Sequence, residues 1–331
     1  MDLDRSGSHG HHGSTSSERP GPHGRRPTRS DRPGRDVVVC GPASWNHIVR
    51  VAELPAPRPH TVFADGDVET LGGTSAGKAL HLVDLDRSVT LHTVLGDDVQ
   101  AKRIHAALTA AGVPLRVCHV PGASERHLNL MDPHGGRLSI YLGLPAVPDR
   151  DLPEGSCPDP GLLEELRGAR AVVLDLCEHS RDLIDVVRAT GVPIWTDLHD
   201  YDGSAAFHRP FADAASYVFM NADKLGDPLE FMHTLVADGA SLAVCTLGAQ
   251  GAVAVDDRHE VHRVPAAPVA SVVDTNGAGD AFMAGFLHAQ LAGSTTPQAL
   301  RAGAEQAVRA LTTVHLSPLL DKYGESYLGH A

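Results

Sequence analysis

The chain has 331 residues, 42% of them hydrophobic, and a formal net charge of −13, which suits one large α/β domain with a substantial core and argues against binding nucleic-acid phosphates as its main business. No apolar stretch approaches the roughly 18 residues of a membrane span and the N-terminus has no apolar signal core, so a cytoplasmic location without membrane partners is expected. The five cysteines (Cys40, Cys118, Cys157, Cys177 and Cys245) are scattered and show no CxxC spacing, so they read as reduced thiols rather than a zinc site or disulfide framework.

Apart from Met1 and Leu3, residues 1–35 contain no aliphatic or aromatic side chain. Such a His/Pro/Gly/Ser-rich segment cannot bury a core and is expected to be a disordered tail. His9, His11 and His12 in that setting offer only incidental metal affinity. The folded domain is expected over 36–331. It opens at Val37-Val38-Val39-Cys40-Gly41, a β-branched run that ends in glycine and reads as a central buried strand. Gly41 to Ile48 follows, with Asn46 either an amide placed for a vicinal diol or a plain turn residue, and Trp45 most simply a core side chain.

The stretches Ile48 to Glu69 and His127 to Tyr141, the latter across the turn Asp132-Pro133-His134-Gly135-Gly136, read as antiparallel ribbon. Between them, Gly72-Gly73-Thr74-Ser75-Ala76-Gly77-Lys78-Ala79 imitates a P-loop by spacing. Ala79 stands where the Mg²⁺-holding hydroxyl belongs, and Val68 to Leu71 is not a firm buried strand, so a true P-loop is disfavoured. A helix is expected over Ala76 to Leu85. Beyond it, strand and helix alternate: Ser88 to Leu95, a turn at Gly96-Asp97-Asp98 with Asp capping, the helix Val99 to Ala111, then Ala171 to Leu176, Leu183 to Thr190, Val192 to Thr196 and Tyr217 to Met220. This alternation predicts a three-layer α/β/α domain with a mostly parallel central sheet. Val244 to Gly251 reads as a strand leaving through a glycine turn, a pattern that a hairpin or a ligand site explains equally well.

The most informative segment is Asp274-Thr275-Asn276-Gly277-Ala278-Gly279-Asp280, which leads into the apolar helix Ala281 to Leu287. Backbone N–H groups at a helix start lack intrahelical partners and sit at the positive end of the macrodipole, so Gly277, Ala278 and Gly279 can receive a phosphate closely. Asp280 on the same turn can accept a proton from an attacking hydroxyl. The alternative is a core helix whose glycines serve only packing.

Asp-Thr-x-Gly-Ala-Gly-Asp followed by a Phe-containing apolar helix resembles the C-terminal signature of the ribokinase/PfkB family of carbohydrate kinases at all its fixed positions. The resemblance implies a ribokinase-like fold with a small β lid (about 48–71 and 120–145), Mg²⁺ and ATP as partners, Asp280 as base, and Gly277 to Gly279 as anion hole. It places substrate contacts at Asn46, Gly72, Gly73, Gly77 and Lys78, and the nucleotide at Asn221, Lys224, Thr246, Gly248 and Gly251. It further implies a monovalent cation such as K⁺ at Asp274 and Asn276, and a homodimer through the lid. Two positions depart from the pattern. Gly77 stands where relatives usually have Asn, and Lys224 closes Asn221-Ala222-Asp223-Lys224 where many have Glu, so a cation replaces an anion beside the expected Mg²⁺. The expected activity is ATP-dependent phosphorylation of a hydroxyl on a sugar or sugar-containing small molecule. The alternatives are a nucleoside kinase of the same family and a non-catalytic sugar- or nucleotide-binding regulator.

Overall fold

A computed structural model describes residues 36–148 and 160–321; the tail expected at 1–35 and the cysteine at 157 lie outside the described residues. Thirteen strands form two sheets. The large sheet contains β1 (Val37–Cys40), β4 (Val89–Leu95), β5 (Leu115–His119), β8 (Ala171–Leu174), β9 (Ile194–Asp197), β10 (Tyr217–Asn221), β11 (Leu242–Thr246), β12 (Ala252–Asp256) and β13 (Val261–Val264). Its order is β13-β12-β11-β10-β9-β8-β1-β4-β5, parallel from β11 to β5, with β12 and β13 antiparallel at one edge. The small sheet contains β2 (Ser44–Arg50), β3 (Gly66–Gly72), β6 (Arg126–Met131) and β7 (Arg137–Gly143) in the order β3-β2-β6-β7. The two ribbons read from sequence are therefore present, and β2 joins them by pairing parallel with β6.

The helices are α1 (Thr74–Asp84), α2 (Val99–Ala110), α3 (Pro160–Gly168), α4 (Glu178–Asp182), α5 (Ile184–Arg188), α6 (Arg209–Ala214), α7 (Pro228–Ala237), α8 (Ala278–Leu291), α9 (Thr296–Leu311) and α10 (Pro318–Asp321). Strand periodicity assigns them to the two faces of the large sheet. Along β1, Val37 and Val39 enter one core with Leu80 of α1, Ile104 of α2, Phe286 of α8 and Leu300 of α9. Val38 and Cys40 enter the other with Leu162 of α3, Val187 of α5, Phe211 of α6 and Met232 of α7. Because both faces are covered, strands such as β1 (VVVC) and β8 (AVVL) read as continuous apolar runs rather than alternating. The three-layer arrangement follows from that double burial.

Asp98 caps α2 as expected, its side chain accepting from the Ala101 N–H at 2.9 Å. Cys40, Cys177 and Cys245 are free thiols. Cys118, expected to be reduced, is instead disulfide-bonded; scattered cysteines without a paired spacing gave sequence nothing from which to reveal it.

Helices α8 and α9 approach each other through glycines. A Cβ at Gly285 would lie 2.6 Å from the Ala302 carbonyl oxygen, and one at Gly303 would lie 2.8 Å from the Phe282 carbonyl oxygen. In an exposed helix Gly→Ala gains about 0.5–1 kcal/mol. Here backbone blocks the new methyl, so Gly285→Ala is expected to destabilise by about 1–3 kcal/mol, read as a lowered urea midpoint; a raised midpoint would show that the helices part freely.

Candidate active site

Strand β1 lies between β4 and β8, so the chain's progress across the sheet reverses beside it. Ligands of open α/β sheets bind in the crevice at the carboxyl ends of strands at such a switch point. Gly41 follows β1, and a Cβ there would sit 2.2 Å from Ser75 Oγ and 2.9 Å from Asp175 Cβ. Only glycine lets α1 approach this closely. The Ser75 hydroxyl then donates to Asp175 Oδ2 at 2.6 Å, fixing the carboxylate that ends β8.

Asp280 lies in the first turn of α8 and is 7% exposed. Its Oδ1 accepts from Lys78 Nζ at 2.8 Å. The same ammonium, 1% exposed, lies 3.1 Å from Asp175 Oδ1 and 3.5 Å from Asp197 Oδ2. Burial acts against the Asp280 carboxylate more strongly than Lys78 supports it, and its pKa is pushed up to about 6. Burial alone would lower the Lys78 pKa, but Asp175, Asp280 and Asp197 together hold it above the ordinary lysine range. Burial would likewise raise Asp197, yet His199 and Lys78 keep it below the usual carboxylate range. His199 Nδ1 is 3.4 Å from Asp197 Oδ2.

The Gly-Ala-Gly turn is itself the start of α8. Gly277, at φ 78°, is the N-cap residue and brings no side-chain cap, which leaves the helix end open to an anion. Beside it Asn276 is buried; its Oδ1 accepts from Arg137 Nη1 at 3.3 Å, and its Nδ2 has no hydrogen-bond partner among the described residues. Asp274 Oδ1 accepts from the Asn276 N–H at 2.8 Å, while its Oδ2 accepts from Arg50 Nη2 at 2.9 Å. At the place expected for a monovalent cation, a guanidinium from β2 already meets the carboxylate.

On the small-sheet side, Asn46 is buried on β2 and packs against Gly72, where a Cβ would lie 2.1 Å from the amide nitrogen. Gly73 is the N-cap of α1 at φ 93°, with the Pro42 carbonyl in the place of a side chain. Trp45 is buried beneath Arg103, a packing role. At the other end, Asn221 and Thr246 are register partners at the ends of β10 and β11. Gly248 adopts φ 56°. Gly251 has a packing reason for being glycine, because a Cβ would fall 2.0 Å from the Val264 carbonyl oxygen. Lys224 is exposed and ion-paired with Asp200 at 2.6 Å, so its charge is locally balanced.

Sequence reasoning missed Asp175, Asp197, His199 and Arg50. The first two carried a readable signal: each is an acid at the exit of a short buried apolar strand, Ala171–Leu174 and Ile194–Asp197, where parallel sheets place ligand-facing groups. Arg50 and His199 carried none.

Residues 35–320 match the pfkB family carbohydrate kinase profile. The acarbose 7(IV)-phosphotransferase of Actinoplanes sp. is 34% identical over 280 residues, covering 84% of this chain and 92% of that one. The fructoselysine 6-kinase of Escherichia coli is 32% identical over 248 residues, covering 72% and 89%. Among solved structures, a microbiome-derived acarbose kinase is similar with a TM-score of 0.72 and 33% identity, covering 85% of this chain and 94% of that one. An Arabidopsis thaliana ribokinase complexed with ribose and ATP shares the fold, with a TM-score of 0.67 and 22% identity over 86% and 95%. The chain belongs to the pfkB family of carbohydrate kinases.

Proposed function

We propose that this kinase transfers the γ-phosphoryl group of ATP to a hydroxyl of a sugar or sugar-containing small molecule, with Asp280 as the base. The observation that supports this most is the union, on one helix turn, of a buried carboxylate and an uncapped N-terminus. Asp280 takes the hydroxyl proton, and the amides of Gly277, Ala278 and Gly279 stabilise the charge on the transferring group. The unpartnered Asn276 Nδ2 fits a phosphoryl oxygen, since a buried donor without an acceptor is costly until a ligand supplies one. Asn46, with Gly72 and Gly73, lines the acceptor side. Asn221, Thr246 and Gly248 face the nucleotide, with Lys224 held on Asp200 beside them. Asn221 and Asp223 would hold Mg²⁺ that comes with the nucleotide, which would supply neutralisation of phosphate charge. Because 34% identity to the acarbose phosphotransferase runs over 92% of that protein, acarbose heads the acceptors to test, followed by fructoselysine, ribose and nucleosides.

Asp280→Asn is expected to lower acceptor-dependent ADP release by about 10²–10⁴-fold with little change in melting temperature. In the parent, activity should fall as pH drops through about 6, because the base works only when ionised. Full activity in the variant would remove the base assignment.

K⁺ does not fit well at Asp274, whose two oxygens already accept from Arg50 and the Asn276 N–H. We derive no step through it. Turnover is expected to differ by less than about twofold between K⁺ and tetramethylammonium buffers, while Arg50→Met is expected to gain K⁺ activation as the carboxylate loses its partner. Strong K⁺ dependence of the parent would overturn this reading.

Strand β7 is an edge strand with Leu138, Ile140, Tyr141 and Leu142 exposed, an apolar surface that a second copy would cover. A homodimer through the small sheet is expected by analytical ultracentrifugation, and Tyr141→Lys should shift it toward monomer; a parent that sediments as monomer would exclude it.

A further inference from the structure

We propose that Lys78 is a positioning residue for the base, its buried ammonium anchored by Asp175 and Asp197 so that it holds the Asp280 carboxylate ionised and aimed at the acceptor hydroxyl. The inference rests on the reading of Asp280 as base and assigns to Lys78 a role other than the substrate contact suggested by sequence. An ammonium 1% exposed and shared among three acids has no reach toward a sugar.

Its anchors are themselves fixed. Asp175 Oδ2 accepts from Ser75 Oγ at 2.6 Å, and Asp197 Oδ1 accepts from the His199 N–H at 2.9 Å. Rigid neighbours leave the ammonium one place to sit, and that place determines where Asp280 Oδ1 lies. Gly77 completes the seat. A Cβ there would meet Asp280 Oδ2 at 2.7 Å, so the absent side chain lets the second carboxylate oxygen lie over the backbone of α1. With Oδ1 taken by Lys78, Oδ2 is the oxygen for the hydroxyl proton.

The charged groups facing Asp280 are Lys78 from α1, and Asp197 with His199 from the end of β9; Asp175 from the end of β8 acts through Lys78. Two acids and burial favour the protonated base, and Lys78 is the principal opposing charge. Its loss therefore raises the pH at which the base becomes active.

The test is the pH dependence of kcat and of kcat/KM for acceptor phosphorylation with Mg-ATP. Lys78→Met alone leaves three buried carboxylates face to face and invites misfolding, so the second variant is Lys78→Met with Asp175→Asn, which removes one charge of each sign. The acid limb of the double variant is expected to move up by about one pH unit or more, with acceptor KM within about threefold of the parent. Asp175→Asn alone keeps the ammonium on Asp280 and should hold the limb at or below its parental position. An unmoved limb in the double variant, or an equal upward shift in Asp175→Asn, overturns the role of Lys78 while an inactive Asp280→Asn leaves the base reading standing. An active Asp280→Asn overturns both.

Discussion

A single ammonium organises the centre of this molecule. Lys78 joins α1 to the first turn of α8 and to the ends of β8 and β9. Removing the one cation from such a buried cluster costs about 3–5 kcal/mol, because the three carboxylates are left charged in a low-dielectric interior. The arrangement is weak as a device for stability, since well-packed apolar side chains serve as well. It is strong as a device for placement. The three carboxylates come from segments far apart in sequence, and the shared cation obliges all of them to converge at the carboxyl edge of the sheet.

The second constraint is that arginine side chains tie the small sheet to the segment leading into α8. Arg50 of β2 donates to Asp274, and Arg137 of β7 donates to Asn276. Thr70 of β3 meets His315, just beyond α9. The small sheet thus carries, on its own strands, groups that shape the segment leading into α8. A displacement of β2 or β7 would therefore be felt at residues 274–276.

Much of this was legible in the sequence. The helix-start motif pointed to the family because its parts are contiguous: Gly277, Ala278, Gly279 and Asp280 lie within one turn. The alternation of apolar runs named the layers because burial on both faces leaves a continuous apolar signature at each strand. Asp175 and Asp197 showed no more than their strand-exit positions, and Arg50 showed nothing, for the opposite reason. Each acts through a partner more than fifty positions away or on another element, and an acid at a strand exit reads as an ordinary turn until its partner is known. Gly251 shows how one glycine can carry two readings: the pattern suggested a nucleotide contact, and the structure adds a packing reason in the nearby Val264 carbonyl.

Gly77 and Lys78 are best understood together. Read separately, Gly77 loses an amide that relatives use and Lys78 adds a charge where none is needed. In the structure, a side chain at 77 would strike Asp280 Oδ2, displacing the base from the ammonium. A neutral residue at 78 would leave Asp175, Asp197 and Asp280 buried without a shared counter-charge. Gly77 and Lys78 thus support one another: the space left at 77 admits Asp280 Oδ2, and the ammonium at 78 holds Asp280 Oδ1. The departure from the family pattern therefore strengthens the catalytic reading, since a binder with no proton to move would have no use for a cation seated on that carboxylate.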